Sequence, residues 1–347
     1  MNSIFPTCFS DRVQPYLKAM QKDQHVDVII IGAGPIGLAC AIELEKRGIS
    51  YLVIERGCLV NSIFHYPTNM TFFSTSERLE LGGVPFISHG VKPTRREALE
   101  YYRRVASSFG LKINLYEGVQ RVEKVDSEFE ITTSRTRYRC LNLVLASGFY
   151  GEPQLMNVPG EELAKVKHYY DEPHPYAGQR VVVVGGGNSA VDVALETYRC
   201  GSEVTLVVRE QALKPGVKYW VRPDIENRIN EGSIKAYFES EIADIGEGFV
   251  KIATPEGVVE EPNDFVLAMT GYRPNFEIIA GLGLAFHDDG FKTPVYDPKT
   301  HESSVKGLYL AGVVCGGLNT SKWFIENSID HAEKIASQIS KVAENTC

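Results

Sequence analysis

Two glycine-rich turns, and the residues at the tips of the strands beside them, hold the clearest chemistry in this chain. The first turn, Gly32-Ala33-Gly34-Pro35-Ile36-Gly37, follows the β-branched run 26–31 and opens a helical stretch, 38–47, that Gly48 ends. A second strand, 51–54, finishes at the acid Glu55. In such a βαβ unit the first glycine permits a tight turn and the second lets a pyrophosphate approach the backbone. The third lets helix and strand pack closely, and the helix start presents amides and the positive end of its dipole to phosphate. Gly32, Gly34 and Gly37 stand at those three places. Glu55 is placed to accept hydrogen bonds from both hydroxyls of an adenine ribose and would repel a 2′-phosphate, so this unit calls for FAD or NAD and not NADP.

The second turn, Gly185-Gly186-Gly187-Asn188-Ser189-Ala190, follows the strand 181–184 and precedes a helical stretch, 191–199, ended by Gly201. Its second strand, 204–208, finishes at Arg209 in place of an acid. A guanidinium makes bidentate contacts to phosphate, which favours NADPH over NADH, and Lys214 offers a second cation. With two dinucleotide units on one chain, one nucleotide can be a tightly held flavin and the other a diffusible reductant. The protein then has to bring the two reactive rings together and exclude water.

The rest of the composition narrows the class. The chain has 347 residues, 44% of them hydrophobic, and a net charge of −8, so it can bury two or three cores and lacks the basic balance of a nucleic-acid binder. No apolar run reaches the ~20 residues that span a bilayer, which argues against a membrane protein. Seven cysteines, Cys8, Cys40, Cys58, Cys140, Cys200, Cys315 and Cys347, form no CxxC pair, which excludes a zinc ribbon and a dithiol of the thioredoxin kind. Residues 1–24 lack the features of a secretory signal, and a reducing cytoplasm is the expected location.

The expected architecture is α/β, with two Rossmann-like FAD/NAD(P)-binding domains, the NADPH domain inserted in the FAD domain. Residues 1–24 read as an N-terminal arm with one helix near 13–20, 25–160 as the first part of the FAD domain, 161–272 as the NADPH domain and 273–347 as the second part of the FAD domain. Segments 153–175 and 271–275 are the expected crossings. Within the FAD domain, 94–109 reads as a helix and 111–144 as β-rich. The last strand, 308–311, runs into Gly312-Val313-Val314-Cys315-Gly316-Gly317 and a final helix from about 323. A homo-oligomer is compatible with this organisation.

With both turns in place, the sequence resembles the two-dinucleotide-binding flavoproteins, including the thioredoxin reductases and flavin-containing monooxygenases. It is more closely similar to the YpdA-type family, the bacillithiol-disulfide reductases. The likeness is carried by His65-Tyr-Pro-Thr-Asn-Met-Thr-Phe-Phe-Ser74, Leu79-Glu-Leu-Gly-Gly-Val-Pro-Phe86, Lys92-Pro-Thr-Arg-Arg-Glu-Ala-Leu-Glu-Tyr-Tyr-Arg103, Lys218-Tyr-Trp-Val-Arg-Pro-Asp224 and Phe324-Ile-Glu-Asn327. The resemblance implies an FAD enzyme that oxidises NADPH and reduces a small-molecule electron acceptor, a low-molecular-weight disulfide or a related compound. Candidate cofactor contacts then extend to Arg56, Asn61, Thr68, Val119, Ser147, Gly148 and Gly271, and to Gly312 and Val313 near the flavin. Val313 stands where thioredoxin reductases carry an acid, as is usual for the YpdA-type family.

One departure affects mechanism. Family members commonly carry a cysteine directly before the third glycine of the first motif, and this chain has Ile36. Cys315, in a glycine-rich turn whose helix start would lower a thiol pKa, is the candidate that remains, with packing as its competing role. Cys40 reads as a small buried apolar residue. His65 is a candidate proton donor or a structural histidine, and Tyr66, Phe72, Phe73 and Phe86 either wall a pocket or fill core. Three other readings stay open: a flavin-dependent monooxygenase, a ferredoxin–NADP reductase, and a nucleotide-binding redox sensor without turnover.

Overall fold

The computed structural model describes residues 24–344, so the arm expected over 1–24, apart from Gln24, lies outside the described residues. The chain opens on strand β1 (Gln24–Ile31), whose Val28, Ile29 and Ile30 are fully buried, as befits a β-branched run covered on both faces. Helix α1 (Pro35–Lys46) follows with proline in its first turn, then β2 (Tyr51–Ile54) and the single turn α2 (Asn61–Phe64). Helix α3 (Arg95–Ser108) starts at a reciprocal cap. The Thr94 hydroxyl accepts from the Glu97 amide at 3.3 Å, and the Glu97 carboxylate accepts from the Thr94 amide at 2.8 Å. Next come β3 (Ile113–Asn114), β4 (Val119–Val125), β5 (Glu128–Thr133) and β6 (Arg137–Leu145).

After β7 (Glu152–Pro153) the chain builds a second unit: β8 (Val166–Lys167), β9 (Arg180–Val184), α4 (Asn188–Arg199), β10 (Glu203–Val207), α5 (Arg222–Asn230), β11 (Lys235–Tyr237), a meander of β12 (Glu241–Ile245), β13 (Phe249–Thr254) and β14 (Gly257–Pro262), and β15 (Phe265–Ala268). It returns through β16 (Tyr272–Arg273) to β17 (Leu308–Leu310) and α6 (Asp330–Glu344).

The sheet of the first unit runs β3-β2-β1-β6, with β17 beside β6, all parallel, and β5 and β4 continue from β6 as antiparallel strands. The last strand therefore completes the sheet that the first strand begins. The second unit is the parallel sheet β11-β10-β9-β15-β8 with the meander attached. Both crossings lie in one antiparallel ribbon, Tyr272 beside Pro153 and Arg273 beside Glu152.

Two expectations shift. Residues 154–160, expected with the first unit, rest on the second: the Pro159 carbonyl accepts from the Ile245 amide at 3.0 Å, and a Cβ on Gly160 would stand 1.9 Å from the Ile245 oxygen. The final helix starts at Asp330 instead of near 323, because Asn327 caps the Phe324 amide at 2.6 Å and holds 322–328 in turns.

Candidate cofactor clefts

At the first turn each glycine is required for a different reason. Gly32 adopts φ +106°, and a Cβ there would lie 2.5 Å from the Ala146 oxygen; one on Gly37 would lie 1.9 Å from the Gly32 oxygen, so strand and helix meet backbone to backbone. A Cβ on Gly34 would meet nothing within 4 Å, so open space stands in front of the start of α1. Pro35 and Ile36 continue the wall of this space. The Glu55 carboxylate is buried and fixed, one oxygen accepting from the Ala33 amide at 2.9 Å and the other from the Gly57 amide at 2.9 Å. Each oxygen keeps a lone pair for a further donor.

Two adjoining cavities, of about 110 and 120 Å³, run along this turn and share Gly32, Glu55, Arg56, Ser147 and Gly148. The first also includes Asn61, Gly312 and Val313, and the second includes Val119. The Ser147 hydroxyl is buried with no partner among the described residues. Open space beside a helix start, a fixed carboxylate and an orphaned hydroxyl are the features a dinucleotide would satisfy. The aromatic wall is formed by Tyr66, Phe149, Tyr150 and Phe324. Burial pushes the Tyr66 phenol up to about 12 and the Tyr150 phenol higher, so both are neutral. Phe72 and Phe86 are core, and Phe73 is exposed against Trp220 of the second unit at 5.5 Å.

Two predicted residues fall outside these cavities. The His65 ring is exposed and is not among the lining residues; the residue takes part through its carbonyl, which accepts from the Tyr150 hydroxyl at 2.9 Å. Thr68 is exposed, and its amide donates to the Asp171 carbonyl at 2.7 Å, a contact between the units. Phe149 and Tyr150 were absent from the sequence-based set. Their signal was an aromatic pair directly after the Ser147-Gly148 strand end.

At the second turn Gly185 has φ +132°, and a Cβ there would stand 2.5 Å from the Met269 oxygen. Gly187 precedes α4, Ser189 is exposed in its first turn, and Ala190 is buried. Asn188 braces the facing loop: its amide donates to the Gly216 carbonyl at 3.0 Å, and its oxygen accepts from the Lys218 amide at 2.8 Å. Lys218 in turn pairs with Asp192 at 2.6 Å. The Arg209 side chain is 77% exposed, with Glu210 3.7 Å away, and Lys214 is exposed beside Gly187. Gly271, at φ +99° with open space around it, leads into the ribbon.

The thiols do not meet the expectation of a reactive site. Cys315 is fully buried and lines neither cavity; its Sγ donates to the Leu310 carbonyl at 3.3 Å, and burial pushes the thiol well above its ordinary range, opposite to the lowering expected at this turn. The 312–316 turn is a short 3₁₀ segment that directs Cys315 inward and Val313 toward the cleft. Burial raises Cys40 and Cys140 to about 12. Cys58, beside Asn61, is raised by burial and by Glu55. Ile36 fills the cleft wall where it meets Gly312, 3.3 Å from the position a Cβ there would take.

Residues 29–312 match the model of the pyridine nucleotide-disulphide oxidoreductase family. The chain is 42% identical over 315 residues to bacilliredoxin reductase Bdr of Bacillus subtilis, covering 90% of this chain and 97% of that one. It superposes on the bacillithiol disulfide reductase Bdr (YpdA) of Staphylococcus aureus with a TM-score of 0.89 at 40% identity, over 92% and 99% of the two chains. A thioredoxin reductase of Lactococcus lactis shares the fold, with a TM-score of 0.74 at 20% identity over 92% of this chain and 99% of that one.

Proposed function

Because the chain belongs to the pyridine nucleotide-disulphide oxidoreductase family and, within it, to the YpdA-type reductases, we propose that this oxidoreductase holds FAD along the Gly32–Gly37 cleft, takes electrons from NADPH at the Gly185–Ala190 turn and reduces a small disulfide or related acceptor. Family membership makes it an enzyme that uses a flavin and a pyridine nucleotide, which sets aside the reading of a sensor without turnover. The observation that carries the finer assignment is the contrast between the two strand tips. Glu55 is buried and held by two amides, suited to an unphosphorylated ribose, whereas Arg209 is exposed with only the neighbouring Glu210 at 3.7 Å, suited to a 2′-phosphate.

When bound, the flavin supplies two-electron acceptance from a nicotinamide and delivery to the acceptor. The protein's part is positional. Gly34 and the start of α1 receive the pyrophosphate, Glu55 orients the adenosine, and the neutral phenols of Tyr66 and Tyr150 with Phe149 keep water from the reactive end. No cysteine is among the residues lining the two cavities, and Ile36 occupies the wall, so the acceptor meets the cofactor directly and not through a protein thiol. The five described cysteines are all free, in keeping with a reducing, cytoplasmic compartment.

The test follows NADPH and NADH as reductants of the flavin-loaded protein, then bacillithiol disulfide, glutathione disulfide, quinones and ferredoxin as acceptors. Faster bleaching by NADPH and turnover on bacillithiol disulfide are expected. Equal rates with both nucleotides would overturn the role of Arg209, and turnover confined to quinones or ferredoxin would overturn the disulfide assignment.

A further inference from the structure

Behind the 312–316 turn lies a closed cluster of side chains that the reaction above does not use. His301, Cys315 and His331 are buried, with their ligand atoms within 4.8 Å of one another. The two imidazole rings lie 3.9 Å apart, and the Trp323 ring meets His331 edge-on at 4.6 Å. By distance alone the three residues match a metal site, yet the atoms that face one another, His301 Nδ1, Cys315 Sγ and His331 Nδ1, with Sγ 3.8 and 3.9 Å from the two nitrogens, are already engaged. The Leu310 carbonyl accepts from His301 Nδ1 at 3.0 Å and from Cys315 Sγ at 3.3 Å, and the Gly312 amide donates to His331 Nδ1 at 3.1 Å. A cation taking these atoms would leave two buried peptide groups unpaired.

These peptide groups flank the point where β17 stops and the turn begins. The Ala311 amide still joins the sheet, donating to the Leu145 carbonyl at 3.0 Å. Gly312, at φ +76° and packed on Ile36, has left it, and its amide points away from the cleft into the cluster. The next residue, Val313, lines the cavity assigned to the flavin. Accepting at Nδ1 requires that ring nitrogen to be unprotonated, so the His331 proton sits on Nε2, which is buried with no hydrogen-bond partner among the described residues, the Asp330 carboxylate standing 4.0 Å away.

We propose that His331 is a positioning residue for the flavin: as a neutral Nε2–H tautomer it anchors the Gly312 amide and thereby fixes the turn that sets Val313 against the cofactor. The proposal rests on the reading that the cleft holds FAD. It explains why a polar ring stands in the otherwise apolar inner face of α6, among Ala332, Ile335, Ala336 and Ile339.

The first measurement uses the wild-type, flavin-loaded protein with ¹⁵N-labelled histidine: a long-range ¹⁵N–¹H spectrum is expected to show His331 protonated at Nε2 only, and a proton on Nδ1 overturns the proposal. The second compares His331→Asn, whose side-chain oxygen stands near the Nδ1 position, with His331→Leu. His331→Leu is expected to weaken FAD binding about tenfold, as for the loss of a buried amide's acceptor, and to shift the visible spectrum and midpoint potential of the bound flavin. His331→Asn is expected to restore all three to near wild type. Leu and Asn variants that behave alike in affinity, spectrum and potential would overturn the proposal, and should either fail to fold, the tautomer measurement still decides. A wild-type protein that takes up no FAD fails the earlier reading instead, which separates the two outcomes.

Discussion

Replacing Gly34 and Gly37 by alanine, one at a time, separates a glycine needed for a ligand from a glycine needed for the fold. At Gly37 the new Cβ would stand 1.9 Å from the Gly32 oxygen, so helix or strand must move by about an ångström or more, a cost on the order of 1–3 kcal/mol. At Gly34 the methyl meets nothing within 4 Å and the φ of −72° suits alanine. Two small effects there oppose each other: restricting the unfolded chain stabilises by about 0.4–1 kcal/mol, and replacing glycine at a helix N-cap costs a similar amount. The apoprotein of Gly34→Ala should therefore melt within a few degrees of wild type, whereas Gly37→Ala melts clearly lower. FAD binding gives the opposite emphasis. If the pyrophosphate occupies the space before Gly34, a methyl there overlaps it, and a cost of about 1–3 kcal/mol corresponds to a roughly 5- to 150-fold weaker dissociation constant. The assay is flavin titration of apoprotein by fluorescence quenching, with melting curves of the same samples. Wild-type FAD affinity in Gly34→Ala, or an apoprotein as destabilised as Gly37→Ala, would refute the placement of the pyrophosphate.

Arg209→Ala should raise KM for NADPH about 10- to 150-fold through the loss of charge-assisted bonds worth roughly 1.5–3 kcal/mol, and leave the NADH constants and folding unchanged, because the side chain is 77% exposed; equal effects on both nucleotides, in steady-state kinetics, would contradict it. Native protein treated with iodoacetamide near neutral pH should show no label on Cys40, Cys140 or Cys315 by mass spectrometry, since burial raises all three thiols and keeps them protonated, with labelling appearing only on unfolding or at strongly alkaline pH. Asp264 is held by Arg180 at about pKa 2, below its ordinary 3.8, so its contribution is present above about pH 4 and lost as the pH falls toward 2. Acid unfolding of Asp264→Asn should accordingly lack part of the loss in that window, and identical acid transitions in the two proteins would remove the pair as a contributor.

The cofactor turns were legible because their logic is local. Strand, glycines, helix and strand tip fall within about thirty residues, and Gly37 answers a steric demand from Gly32 inside the turn itself. Family resemblance supplied the segments around the cleft but not which atoms face it. Cys315 shows the difference: the turn was found, yet whether its side chain looks toward the cleft or the core depends on the register of a short 3₁₀ segment, which spacing does not encode. His301 and His331 arrive from separate stretches of the chain and meet only in the folded protein. Tyr66 lines the cleft, while its neighbours His65 and Thr68 are exposed and outside the lining, a difference of one or two positions that no motif encodes.

The arrangement of β6 between β1 and β17 has a consequence for biosynthesis. On a ribosome, β6 emerges long before the strand that must cover its other side, since Leu145 pairs with Leu310. In that interval the intervening unit, contiguous in sequence and closed by its own parallel sheet, can reach its native state first, while the nascent amino-terminal half waits with an uncovered apolar margin. Truncation late in translation would thus release a product with one finished half and one sticky half, a natural client for chaperones.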